Sequence, residues 1–318
     1  MLVIHPTISE RVHRLATTYL RLFLVALCWG GTFIAGRSLA GVVAPVDAAF
    51  FRFVFASALL LAITAGREGL PRITGRQLLT VIALGATGIF SYNLFFFNGL
   101  TLVGASRASL IIALNPVCIT LASALIHKEP LPPRRIFGVL LSICGAMIVI
   151  TRGELQVIFN EGIGKGELLI SGCVLSWTLY SIIGKTAMRG LSPLAAVCYS
   201  SLAGTLLLFV VSLWQGNLAA AAGYPATAWL SILYLGMFGT VIGFLWYFRG
   251  MQLIGPSRAA VFINFVPVNA VLLAALILNE PLTLSLLVGG GLVLTGSYLA
   301  NSEPASNRDA DQSSTSSR

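Results

Sequence analysis

Long apolar runs separated by short polar stretches fill this chain almost from end to end. Ten runs stand out, at 19–39, 46–65, 78–100, 106–126, 136–151, 167–188, 194–214, 229–254, 257–278 and 282–300. Most approach the roughly 20 residues a helix needs to cross a hydrocarbon layer of about 30 Å. They are continuously apolar and do not alternate as barrel strands would, so helices are the expected form. The pattern predicts an all-α integral membrane protein with ten transmembrane helices.

The pattern also repeats. Residues 85–145 and 236–296 align without a gap at an offset of 151. Gly85, Gly88, Pro116, Glu129, Pro130, Gly138 and Gly145 meet Gly236, Gly239, Pro267, Glu280, Pro281, Gly289 and Gly296. The stretch from Trp29 to Arg37 matches Trp177 to Lys185 at an offset of 148. Each copy holds five predicted helices, and an odd number sends the second copy into the membrane from the opposite side. The expected architecture is therefore two inverted five-helix repeats, the arrangement of many carriers. The expected divisions are a cytoplasmic N-terminal segment at 1–18, a first repeat at 19–152, a polar linker at 153–166, a second repeat at 167–300 and a disordered cytoplasmic tail at 301–318. Residues 1–18 lack the apolar stretch and cleavage site of a signal peptide.

Composition agrees and charge adds direction. Only 10% of residues are charged, against about 25% in soluble domains. The formal net charge of +9 does not point to nucleic acid, because the basic residues sit in short loops between apolar runs. With the N-terminus in the cytoplasm, only Arg37, Arg52, Arg107, Arg152 and Lys165 of the 20 Lys and Arg fall outside. Both termini are therefore expected in the cytoplasm. The five cysteines all fall within predicted spans and read as free thiols acting as small apolar residues.

A few polar and aromatic residues break the apolar background. Trp29 and Trp177 lie within the first and sixth helices, away from the interfaces where membrane tryptophans concentrate. An indole N–H in that position needs a partner, so both face protein or a wet cavity. Pro116 and Pro267 each remove a backbone donor from the fourth and ninth helices, and matched helix breaks point to a binding site. Asn115 and Asn264 lie close to these breaks, and Asn93, Tyr180 and Trp246 add polar or aromatic groups on the third, sixth and eighth helices. Substrate-cavity candidates are thus Trp29, Asn93, Asn115, Trp177, Tyr180, Trp246 and Asn264. Arg37 and Lys185 follow the two tryptophans by eight residues. Glu129 and Glu280 end the fourth and ninth helices, where the helix dipole disfavours an acid. Matched sign and side suggest alternating gates, Arg37 with Glu280 and Lys185 with Glu129.

Other classes are disfavoured. His5, His13 and His127 lie near ends or loops, and no nucleophile–base or metal-ligand motif is present. No enzyme activity, cofactor or metal is expected. Coupling to protons wants a titratable group deep in the membrane, whereas Asp47 and Arg52 are read near the start of the second helix. That favours facilitated movement of an amphipathic or zwitterionic solute. A proton-coupled drug or metabolite antiporter and a non-transporting membrane sensor are the alternatives.

These residues resemble the drug/metabolite transporter superfamily, specifically EamA-like transporters with two five-helix repeats. The resemblance spans about residues 20–300. It rests on Trp29-Gly30-x-x-Phe33-x-x-x-Arg37, on Trp177 to Lys185, and on Glu129-Pro130 and Glu280-Pro281 followed by Gly-rich helices. The family usually has Asn at the place of Thr32 and often Lys at that of Arg37. The resemblance implies a multi-pass carrier of the bacterial inner (plasma) membrane, often an exporter of amino acids or related metabolites. It also implies alternating access around a cavity walled by helices 1, 3, 4, 6, 8 and 9. The expected partners are a small-molecule solute, membrane lipid and a second copy forming a homodimer.

Overall fold

The computed structural model describes residues 8–127, 132–154, 163–187 and 190–301, and among these no strand is found. The first half contains α1 (Ile8–Ser38), α2 (Pro45–Glu68), α3 (Gly75–Leu84), α4 (Tyr92–Leu102), α5 (Ala105–Ile112), α6 (Asn115–His127) and α7 (Pro133–Thr151). The second contains α8 (Lys165–Ala187), α9 (Pro193–Trp214), α10 (Ala226–Gly236), α11 (Gly243–Ile254), α12 (Pro256–Ile263), α13 (Phe265–Ile277) and α14 (Leu284–Asn301). Eight helical stretches among the described residues are long and apolar enough to cross a membrane. Two further apolar helices, Val261–Ile277 and Leu284–Ala300, are shorter. The penultimate run is cut at Asn264, leaving in α13 13 residues, about 20 Å at 1.5 Å per residue.

Two interruptions recur in each half. A π-helical segment, Gly85–Ser91, joins α3 to α4, and a second, Met237–Ile242, joins α10 to α11. Both begin within one residue of the matched glycines Gly85 and Gly236. A π turn widens the helix and displaces backbone carbonyls from their usual partners. The other interruption falls just before each matched proline, at Ala113–Leu114 ahead of Pro116 and at Asn264 ahead of Pro267. Proline cannot donate into the preceding turn, so each helix restarts with its proline in the first turn, where no donor is needed.

Packing runs between the halves. α7 lies against α14, α2 against α9, α1 against α13 and α4 against α8. Gly138 backs onto Gly296 and Ala300, while Gly145 backs onto Gly289 and Val293, so α7 and α14 are antiparallel and in close contact. Glycines permit such approach, which supplies dispersion contacts where lipid removes the hydrophobic driving force. The contacts are reciprocal. Gly85 packs on Ser200 and Gly204 of α9, and its counterpart Gly236 packs on Arg52 and Ala56 of α2, the residues 148 positions earlier. Reciprocity of this kind is what a two-fold relation produces. The centre is apolar, with Phe33, Phe53, Phe96, Leu100, Ile170 and Ile232 buried together. Leu79, Leu125 and Leu276 remain largely exposed, as suits a lipid-facing surface.

Candidate functional site

Two aromatic groups stand where the halves cross. The Trp29 indole Nε1 donates to the carbonyl of Gly239 at 3.0 Å. Its ring lies 5.8 Å from Phe244 and 5.4 Å from Tyr247. Trp177 lies 5.6 Å from Tyr92 and stacks on Tyr180 at 5.1 Å. Each group thus joins a helix of one half to the π-interrupted helix of the other. The Trp29 indole N–H is satisfied here by a carbonyl of the π segment.

The asparagines occupy different settings. Asn93 is buried, and its Nδ2 donates to Ile89 at 2.7 Å while its Oδ1 accepts from Arg52 at 3.0 Å. Asn115 opens α6, and its buried Oδ1 has no hydrogen-bond partner. Asn264 forms the break between α12 and α13 and is half-buried. Asn269, on the same helix as Pro267, holds a buried Nδ2 without a partner. Buried polar atoms are rarely left unpaired, which sets these two apart from the satisfied Asn93. Trp246 is not brought to either aromatic group. It lies under Arg21, whose guanidinium is 6.0 Å from the ring, and Tyr247 takes the position beside Trp29.

The expected gate residues meet at one end of the bundle only in part. A cavity of about 770 Å³ opens beside the turn after α1, lined by Arg37, residues 40–45, Thr101, Leu278 and Glu280. Arg37 and Glu280 share this cavity without an ion pair. The Arg37 guanidinium donates to the Leu100 carbonyl in the last turn of α4, where carbonyls lack helical partners. Glu280 accepts from the amides of Ala105 at 2.7 Å and Ser106 at 2.9 Å. The sequence predicts this acid at a helix C-terminus, and its amide does close that end by donating to the Ala274 carbonyl at 3.2 Å. In the structure Glu280 lies beyond α13 and caps the N-terminus of α5, where the dipole favours a negative charge. Glu129 and the Lys185 side chain lie outside the described residues.

The same end holds other charged groups. Asp47, in the first turn of α2, is fully buried and accepts from Ser212 and, at 2.8 Å, from the Tyr224 hydroxyl. Burial and the neighbouring Asp47 carboxylate push Tyr224 up to about 12. Arg107 and Glu167 pair at 2.9 Å.

Arg52 is a candidate that the sequence does not single out. Expected on the outer side near the start of the second helix, it lies seven residues inside α2 and is 9% exposed. Its signal was present as one charge inside an apolar run, Phe50-Phe51-Arg52-Phe53. Thr240, its second partner, had no signal at all, since the contact depends on the π segment.

The comparisons agree with this architecture. The sequence matches the EamA-like transporter family twice, at residues 16–151 and 164–302. The uncharacterized transporter YyaM of Bacillus subtilis is 29% identical over 284 residues, covering 89% of this chain and 93% of its own. An uncharacterized transporter of Archaeoglobus fulgidus is 27% identical, covering 90% of this chain and 98% of its own. A probable terminal-alkyne amino-acid exporter of Streptantibioticus cattleyicolor is 27% identical, covering 88% and 92%. One solved crystal structure superposes with a TM-score of 0.61 at 23% identity, over 90% of this chain and 97% of that one, and so shares the fold. The chain belongs to the EamA-like transporter family and is a multi-pass membrane protein.

Proposed function

We propose that this member of the family exports amino acids or related small metabolites across a bacterial inner membrane by alternating access. The reading has ten spans in two inverted repeats, 19–152 and 167–300, with both termini in the cytoplasm. The reciprocal packing of Gly85 on α9 and Gly236 on α2 carries it. Two halves that grip each other equivalently give two arrangements of nearly equal free energy, one open to each side. The basic residues concentrate on the cytoplasmic side in this orientation, as the positive-inside rule requires. The amino-acid exporter among the relatives supports the solute class.

In this reading Trp29, Asn93, Asn115, Trp177, Tyr180 and Asn264 wall the solute path, with Tyr247 in place of Trp246. The breaks at Pro116 and Pro267 free carbonyls to face it. Arg37 and Glu280 line the outer mouth and draw together on closure. Lys185 and Glu129 are their inner counterparts.

The test is movement of labelled amino acids and amines in proteoliposomes, with and without a pH gradient. Wild type should move a subset, and Trp29→Ala and Asn264→Ala should slow it. A protein that moves nothing across the panel argues for the sensor reading, and dependence on the pH gradient argues for a coupled antiporter.

A further inference from the structure

Arg52 lies about 10 Å along α2 from Pro45. A charge at that depth in an apolar bundle is costly unless it is neutralised. Among the described residues no Asp or Glu reaches it. Its partners are two neutral oxygens. Nη1 donates to Asn93 Oδ1 at 3.0 Å, and Thr240 Oγ1 accepts from Nη2 at 3.3 Å and from Nε at 3.4 Å.

Both oxygens are aimed at the cation by bonds of their own. Asn93 Nδ2 donates to the Ile89 carbonyl at 2.7 Å. Thr240 Oγ1 donates to the Leu235 carbonyl at 3.1 Å, five residues back. A guanidinium offers five N–H donors, and here they meet two acceptor atoms. The dipoles lower the cost of burial and leave the net charge in place.

The position is also where the halves cross. Ile89 belongs to the first π segment and Thr240 to the second. Gly239, next to Thr240, accepts the Trp29 indole. The Phe53 ring lies 5.2 Å from the guanidinium carbon.

We propose that Arg52 is the docking point for a carboxylate on the transported solute. This rests on the transport reading above and narrows its substrate class to monoanionic or zwitterionic carboxylates. A carboxylate is planar and suits the guanidinium fork. Its single charge cancels the single charge of the site. A phosphate carries about −1.5 to −2 at neutral pH and finds no second cation in this cluster. An amine or a neutral aromatic compound leaves the cation unpaired.

The test is direct binding to the purified full-length protein in detergent, read by intrinsic tryptophan fluorescence. The probes are L-amino acids and simple monocarboxylates, each beside its carboxamide and, for amino acids, the amine that lacks the carboxyl. Wild type should bind the best acid about tenfold or more tightly than its carboxamide, a charge-assisted contact against a neutral one. Arg52→Gln should bind the two alike, and Arg52→Lys, which keeps the charge and loses the fork, should fall between. Equal binding of acid and carboxamide by wild type overturns the proposal, as does binding of no carboxylate in the panel. An acid preference that survives in Arg52→Gln overturns it too. If Arg52→Gln does not fold, an undiminished preference in both Arg52→Lys and Asn93→Ala does the same. Flux separates this from the transport reading. A carboxylate that binds through Arg52 yet never crosses a liposome membrane ends the transport reading and leaves the site standing. Solutes that cross without preference for the acid end the site and leave transport standing.

Discussion

Ser57 on α2 and Thr205 on α9 share a hydrogen bond of 2.9 Å, and each is the other's counterpart at the offset that pairs Trp29 with Trp177. A residue touches its own counterpart only on a two-fold axis. Ser142 on α7 donates to the carbonyl of Val293 on α14 at 3.0 Å, and these are counterparts at the offset of 151. Both contacts are what the proposed pseudo-two-fold relation between the halves calls for.

The Ser57–Thr205 bond should couple the halves measurably. Hydrogen bonds between membrane helices average about 0.6 kcal/mol in double-mutant cycles. Ser57→Ala, Thr205→Val and the double variant, unfolded reversibly in mixed micelles, should return a coupling near that value. Additive effects would show that each hydroxyl is satisfied within its own helix. Thr205 has that option, since it also donates to Ser201 at 2.7 Å.

The Glu280 cap should matter for stability more than for charge at the mouth. Two amides of α5 end on its carboxylate. Glu280→Ala leaves both without acceptors and should cost about 1–2 kcal/mol. Glu280→Gln keeps one good acceptor and should cost less. Thermal unfolding in detergent checks the order. Equal losses for the two would mean that the carboxylate acts through its charge on Arg37.

Much of this was legible in the sequence, and the remainder shares one physical cause. Run lengths and matched prolines place the helices and their interruptions, because apolar length and a missing donor act locally. The tryptophans could be flagged because an indole N–H away from the interface needs a partner. The burial of Arg52 is not legible because it depends on Asn93 and Thr240, which the fold brings to it from distant segments. Glu280 ends its own helix as the sequence predicts, while its second role as the cap of α5 is not legible because Ala105 and Ser106 are far away in sequence. The π segments had only the glycines Gly85 and Gly236 as a mark, and glycine alone does not distinguish a π turn from close packing.

Tyr224 gives a pH signature. Its ordinary value is 10, and the folded protein raises it to about 12. Between these values the unfolded chain has lost the phenolic proton while the folded chain keeps it. The unfolded state then binds fewer protons, so stability falls as pH rises from 10 towards 12 and is unaffected below 10. Tyr224→Phe should remove this part of the alkaline loss. The difference between wild-type and variant phenolate absorbance should show one tyrosine titrating near 12, and a midpoint near 10 would mean that Asp47 does not hold it.

A last prediction follows from how each π-interrupted helix meets the other half. Gly88 lies against the ring of Tyr180, and Gly239 lies against Thr32, the counterpart of Tyr180. A methyl group at Gly88 has no room beside a ring that is stacked on Trp177 and cannot turn away freely. Overpacking of this kind costs about 1–3 kcal/mol. Gly88→Ala should therefore lower the unfolding temperature, and Tyr180→Ala in the same chain should restore much of it by vacating the space. If the second change deepens the loss, the Gly88 site is constrained by the backbone of its π segment and not by the ring across from it. In that case flux in the single variant would fall through the widened turn itself, and Gly239→Ala, facing the smaller Thr32, would be as damaging as Gly88→Ala.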